Sequence, residues 1–219
     1  MTSITHVVPA RAQLDAFFER VNPARGRLVF ALDATASRQP TWDTAAALTS
    51  EMFDAVAATG GLDAQLVYFG GDQCVAWRWL SDAKALSATM RGVMCQAGYT
   101  QIGRVLDHAR KENARERVNA LILISDACEE DPEGLYAAAR ELGGLPLFLF
   151  QEGHDQCVGR IYAELAAITK GAFCKFDSGA AQRLADLLKA VAAFAAGGVK
   201  ALATQNSEAA RLLLTQMKK

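Results

Sequence analysis

Leu28-Val29-Phe30-Ala31-Leu32-Asp33-Ala34-Thr35-Ala36-Ser37 is the stretch whose reading decides the fold. Five consecutive apolar residues predict a strand buried on both faces, as in a parallel sheet covered by helices. Where the apolar run stops, a carboxylate and two hydroxyls fall at alternate positions. Residues i, i+2 and i+4 of an extended chain share one face, so Asp33, Thr35 and Ser37 offer three oxygens in one direction. Open α/β sheets take their ligands outside the carboxyl ends of the strands. Oxygen donors with few charges suit a hard cation such as Mg²⁺.

Working outward, Val118–Asp126 and Leu145–Phe150 are two further apolar strand-like runs, and Ala172–Phe176 is a weaker one. Helical spacing is predicted over 41–58 with Thr41 as N-cap, 82–95 behind Ser81, 102–113, 131–142 with Pro132 in its first turn, 156–169 behind Asp155, and 180–196. Ala64–Gly70 and Cys74–Trp79, joined by Gly71-Asp72-Gln73, read as a hairpin and so as the one antiparallel pair. The segment 12–21 carries apolar residues at Leu14, Phe17, Phe18 and Val21, the spacing of a short helix. A polar tail from Ala201 reads as an appended helix, packed on the domain or on a partner. Strands alternating with amphipathic helices give an α/β class: a Rossmann-like, three-layer α/β/α domain with a mostly parallel central sheet and one antiparallel edge strand. The expected organisation is an N-terminal extension over 1–26, the domain over 27–197, and a C-terminal helical extension over 198–219.

With 219 residues, 51% of them apolar, the chain can bury a sizeable core. A net charge of −1 and aromatics not interleaved with basic clusters argue against a nucleic-acid partner. No uncharged apolar run of about 18 residues is present and the first residues lack a leader's basic and apolar regions. No membrane partner is therefore expected. Five widely spaced cysteines without a Cys-x-x-Cys pair exclude a zinc ribbon and favour a reducing, cytoplasmic setting.

With right-handed crossovers, the carboxyl ends of parallel strands reach the same rim. Asp33 and Asp126 can then meet although they lie far apart in sequence, and Thr100, in the turn before a helix, can join them. This set resembles the von Willebrand factor A domain and its metal-ion-dependent adhesion site, whose motif is Asp-x-Ser-x-Ser, a distant Thr, and an Asp after the fourth strand. The resemblance covers about 27–197. It implies a metal site of Asp33, Thr35, Ser37, Thr100 and Asp126 holding Mg²⁺ (Mn²⁺ or Ca²⁺ as alternatives), with hydroxyls touching the cation and the carboxylates acting directly or through water. It also implies a non-enzymatic module that presents the cation to an Asp or Glu carboxylate of a protein partner. Intracellular members of that family often work with AAA-type ATPases. Two departures stand out: Thr35 where Ser is usual, and Ala127-Cys128 after Asp126 where Gly is frequent.

Rival readings are a metal-dependent phosphate-ester hydrolase, which needs a base that the sequence does not supply, and a scaffold whose metal site has degenerated. Asp33-x-Thr35 also resembles the opening of a haloacid-dehalogenase phosphatase loop, but Thr35 stands where that chemistry needs a second acid. His154 and Cys157 lie close together at a helix start, with Asp155 more simply an N-cap. Glu129, Glu130 and Asp131 read as a solvated acidic helix start, with added negative potential near the site as the alternative, and His108 as a surface residue.

Overall fold

The computed structural model describes residues 25–35, 39–56, 60–177 and 180–217. The helix expected over 12–21 and the hydroxyl of Ser37 lie outside them. Strands β1 (Gly26–Asp33), β2 (Leu62–Gly70), β3 (Gln73–Leu80), β4 (Ala120–Ser125), β5 (Leu147–Glu152) and β6 (Ala172–Phe176) form one sheet in the order β3-β2-β1-β4-β5-β6. All neighbours pair in parallel except β2 and β3, the predicted hairpin.

Alternation along β1 builds two cores. Leu28, Phe30 and Leu32 face the layer of α1 (Gln39–Asp54), α2 (Ala83–Arg91), α6 (Ala181–Thr204) and α7 (Glu208–Met217). Val29 and Ala31 face α3 (Ile102–Arg115), α4 (Pro132–Arg140) and α5 (Gln156–Ile168). All five residues are almost wholly buried. The three-layer α/β architecture expected from the sequence is thus the observed one, and it sets the ends of β1 and β4 side by side in the middle of the sheet.

Local differences have physical causes. Thr41 does not cap α1, which starts earlier at Gln39; its hydroxyl donates instead to the Glu152 carboxylate. Asp82 rather than Ser81 caps α2, accepting from the Ala85 amide at 2.8 Å, while the Ser81 hydroxyl donates to Asp63. That helix stops at Arg91, short of Cys95, with Gly92 as its C-cap. His108 is not a free surface group: it is half-buried and its Nε2 lies 2.9 Å from the Gln65 amide oxygen. Burial lowers its pKa, because a charged imidazolium is poorly solvated there.

Helix α6 is long and apolar enough, by length and composition, to cross a membrane. In this fold it is interrupted at Gly197 and Gly198, the latter at φ 65 and ψ −160, a backbone region that only glycine adopts readily. Its Leu184, Leu187, Leu188 and Val191 are buried in the core.

The tail packs on the domain. Leu202, Ala209, Ala210 and Leu213 join the core beside α6. Gln216 completes the outer edge of β6, where its side-chain amide accepts from the Phe173 N–H at 2.8 Å and donates to the Phe173 carbonyl at 2.8 Å. One side chain thereby imitates a neighbouring strand, a way to blunt an open edge. Gln216→Ala removes both bonds and is expected to lower unfolding stability by about 1–3 kcal/mol, at a net 0.5–1.5 kcal/mol for each. Urea unfolding checks this, and an unchanged midpoint would show that α7 docks by apolar contact alone.

Candidate metal centre on the strand rim

The site is built from the backbone outward. Where β1 ends, the Ala34 N–H donates to the Phe69 carbonyl at 2.7 Å and the Ala34 carbonyl accepts from Gln96 N–H at 2.9 Å. Gly70 lies so close to this strand end that a Cβ there would sit 2.6 Å from the Ala34 oxygen. The connection between α2 and α3 is pinned as well. Gly98 rests on Gly71, where a Cβ would meet backbone at 2.5 Å, and the Gln101 amide donates to the carbonyls of Gly71 and Gln73.

Asp33 is only 3% exposed. Its Oδ1 accepts from the Thr35 N–H at 2.8 Å and its Oδ2 from the Ser125 hydroxyl at 2.7 Å, which ties the end of β1 to the end of β4. Burial pushes its pKa up, opposed by the hydrogen bonds of Ser125 and Thr35, and the charge of Asp126 adds to the rise. Asp126 is half-buried at the end of β4, near enough to Asp33 to be felt. The next turn is held by the Tyr162 hydroxyl, which donates to the Ala127 carbonyl at 2.7 Å.

Thr100 is 4% exposed and is not the N-cap of α3; that position belongs to Gln101, which makes no capping bond. Instead Thr100 and Glu129 bind reciprocally: the Thr100 N–H donates to the Glu129 carboxylate at 2.9 Å, and the Glu129 N–H to Thr100 Oγ1 at 3.1 Å. Glu130 does the capping from a different loop, accepting from the Ile102 and Gly103 amides at 2.5 and 2.8 Å. The acidic run after Asp126 is therefore not a solvated helix start. Only Asp131 plays that part, capping α4 through the Gly134 N–H at 2.9 Å. As anticipated, Asp155 caps α5, and the amides of Cys157 and Val158 lower its pKa.

The fold thus brings Asp33, Thr35 and Asp126 to one rim and binds the Thr100 loop to the Asp126 loop. Ser125, Glu129, Glu130 and Tyr162 were not singled out as site residues. Ser125 hides as the last residue of an apolar strand, and the glutamates carry no sequence signal that separates a cap in space from a solvated acid. Among the described residues no three His, Cys, Asp or Glu side chains gather as a metal cage. A cation here would need hydroxyls and water. The donor set fits that need: the Asp33 carboxylate and the hydroxyls of Thr35 and Thr100 are hard oxygen donors, and a buried carboxylate is costly unless it is hydrogen-bonded and paired.

Because the folded state holds a proton on Asp33 more tightly than the unfolded chain does, the fold is penalised above that pKa, and the penalty fades as pH falls. In chelator, Asp33→Asn should therefore be at least as stable as the parent at pH 7 and should lose this group's contribution to stabilisation on going to pH 5. Thermal unfolding at the two pH values checks it, and an Asn variant markedly less stable at pH 7 would contradict the assignment of burial as the dominant cause.

No protein-family model matches the sequence, and no curated protein matches it. Several solved structures do. An aerotolerance-related membrane protein from Bacteroides fragilis aligns at 20% identity over 74% of this chain and 96% of that one, with a TM-score of 0.55. BatB from Bacteroides thetaiotaomicron aligns at 20% identity over 73% and 95%, with a TM-score of 0.56. The VWA domain of SpRpn10 gives 10% identity over 71% and 89%, with a TM-score of 0.56. At such identities the likeness speaks to architecture, and together with the strand order and the helix layers it shows that this chain has the fold of the von Willebrand factor A domain.

Proposed function

We propose that the chain is a von Willebrand A-type interaction module whose rim presents Mg²⁺ to an Asp or Glu of a partner protein. The observation that carries this reading is Asp33: a buried carboxylate beside a second one, held by hydroxyl and amide donors, with its pKa raised by burial and further by the charge of Asp126. Asp33, Thr35, Ser37, Thr100 and Asp126 are the residues to hold the ion. When bound, the cation supplies an electron-poor coordination position that a carboxylate fills. Ser125 and the Thr35 amide orient Asp33, and Glu129 orients Thr100.

Two further features support docking rather than catalysis. Met94 and Tyr99 stand 78% and 75% exposed on the pinned loop that ends at Thr100. Uncovered apolar side chains on a preorganised rim suit a protein interface, where Tyr and Met are enriched. The groups nearest the site make poor bases or nucleophiles. The Tyr162 hydroxyl is committed to Ala127, and burial raises its pKa and that of the Cys128 thiol. All five cysteines are free, in keeping with a reducing compartment, so we assign the module to the cytoplasm.

Calorimetric titration with Mg²⁺ should give saturable binding that weakens more than about tenfold in Asp33→Ala and Thr100→Ala, a loss of the size that disturbing a metal shell produces. Absence of binding at millimolar Mg²⁺ would leave a scaffold with a degenerate site. A pull-down with and without chelator then tests the partner, with mass spectrometry deciding whether an AAA-type ATPase is captured. Met94→Ala/Tyr99→Ala should reduce capture while leaving Mg²⁺ affinity unchanged. Capture indifferent to chelator would sink the cation-bridged mode, and phosphate-ester turnover lost in Asp33→Asn would replace it with a hydrolase.

A further inference from the structure

The opposite end of the sheet holds a second feature, independent of the cation rim. Below the start of β5, between the ends of α4 and α5 on one side and the kink of α6 and the end of α7 on the other, lies a cavity of about 370 Å³. Leu142, Leu145, Ile168, Phe194, Leu214 and Met217 form its apolar wall. Thr169 also lines it, its hydroxyl hydrogen already committed to the Leu165 carbonyl at 2.9 Å and its oxygen accepting from the Leu147 N–H at 3.2 Å. The interior therefore suits a ligand without polar groups along its length.

The polar groups are at the mouth. Arg140 and Lys170 line the cavity, and Arg117 lines a polar recess that shares Gly144, Pro146 and Phe194 with it. All three side chains are exposed, and none forms an ion pair with a described residue. Lys170 stands at the left-handed position that closes α5, with φ 56, where glycine is the usual occupant. The turn is fixed by the Lys170 N–H to Ala167 carbonyl bond, and by Gly171, whose amide donates to Ala166 and at which a Cβ would lie 1.9 Å from the Leu147 oxygen. The backbone that carries Lys170 at the rim of the apolar cavity is thus fixed by this turn.

We propose that this cavity binds a single-chain anionic amphiphile of the fatty-acid class, the chain among the apolar walls and the carboxylate against Lys170 and Arg140. The volume lies at the low end of the roughly 300–1,000 Å³ typical of small-molecule sites, which suits one alkyl chain rather than a large cofactor. The charge pattern requires an anion at one end only.

Calorimetry on the full chain with decanoate, decanol and acetate tests this. Decanoate should bind saturably at one site, decanol at least tenfold more weakly, and acetate undetectably. Arg140→Ala/Lys170→Ala should weaken decanoate at least tenfold and leave decanol unchanged. Met217→Trp, which fills the cavity, should abolish both, with Val199→Trp at the exposed mouth as the second blocking variant if the first does not fold. Absence of decanoate binding, equal affinity for decanoate and decanol, or binding that survives the blocking variant would overturn the proposal.

Discussion

A carboxylate taken out of water at the end of a central strand has to be stabilised by something, and much of the rim is organised to do it. Asp33 receives the Thr35 amide and the Ser125 hydroxyl, the latter from the neighbouring strand. That bond joins the two strands whose ends define the site. It also explains why an apolar strand terminates in serine: an alanine there would leave Asp33 with one donor fewer and the same burial. Two neutral donors lessen the cost of burial without removing it, since the carboxyl pKa stays raised. The remaining imbalance is what a bound cation would relieve.

The second tier of the rim works by exchanging caps between loops. Glu130 occupies the amino end of α3, a helix to which it does not belong, and Glu129 ties the Thr100 backbone to the β4–α4 connection. Two loops that converge only through the fold are thereby locked to each other by four amide N–H bonds. Thr100 is consequently buried and immobilised rather than free to cap its own helix.

The fold was legible because its signals are local. Continuous apolar runs at 28–32, 120–124 and 147–150 are what burial on both faces demands, and Gly71-Asp72 marks the single hairpin. Asp33 and Asp126 were legible because each ends such a run. What escaped was every interaction whose partner lies in another loop. Glu130 as a cap for α3, Ser125 as a donor to Asp33, and His108 facing Gln65 are set by tertiary approach, and their sequence neighbourhoods look like ordinary solvated or core positions. Capping choices failed for the same reason. Ser81 and Thr41 have the right chemistry to cap, but Asp63 and Glu152 offer them charged acceptors, and a charge-assisted bond is the stronger one.

The two ends of the sheet divide the chemistry between them. At the carboxyl ends of the strands, Asp33, Asp126, Glu129 and Glu130 gather on connected loops. Beneath the start of β5, Arg140 and Lys170 line one cavity and Arg117 the adjoining recess. Both ends border on α6, whose apolar turns seal one core layer and whose Gly197–Gly198 break shapes the lower recess. The break has a structural consequence whatever the recess binds. A straight continuation of α6 would carry Val199 and Leu202 away from the sheet, whereas the glycine at φ 65 turns the chain so that Leu202 is buried and α7 reaches the edge of β6. The tail therefore completes the core and closes the outer strand, and the same turn leaves room beneath β5 for a cavity.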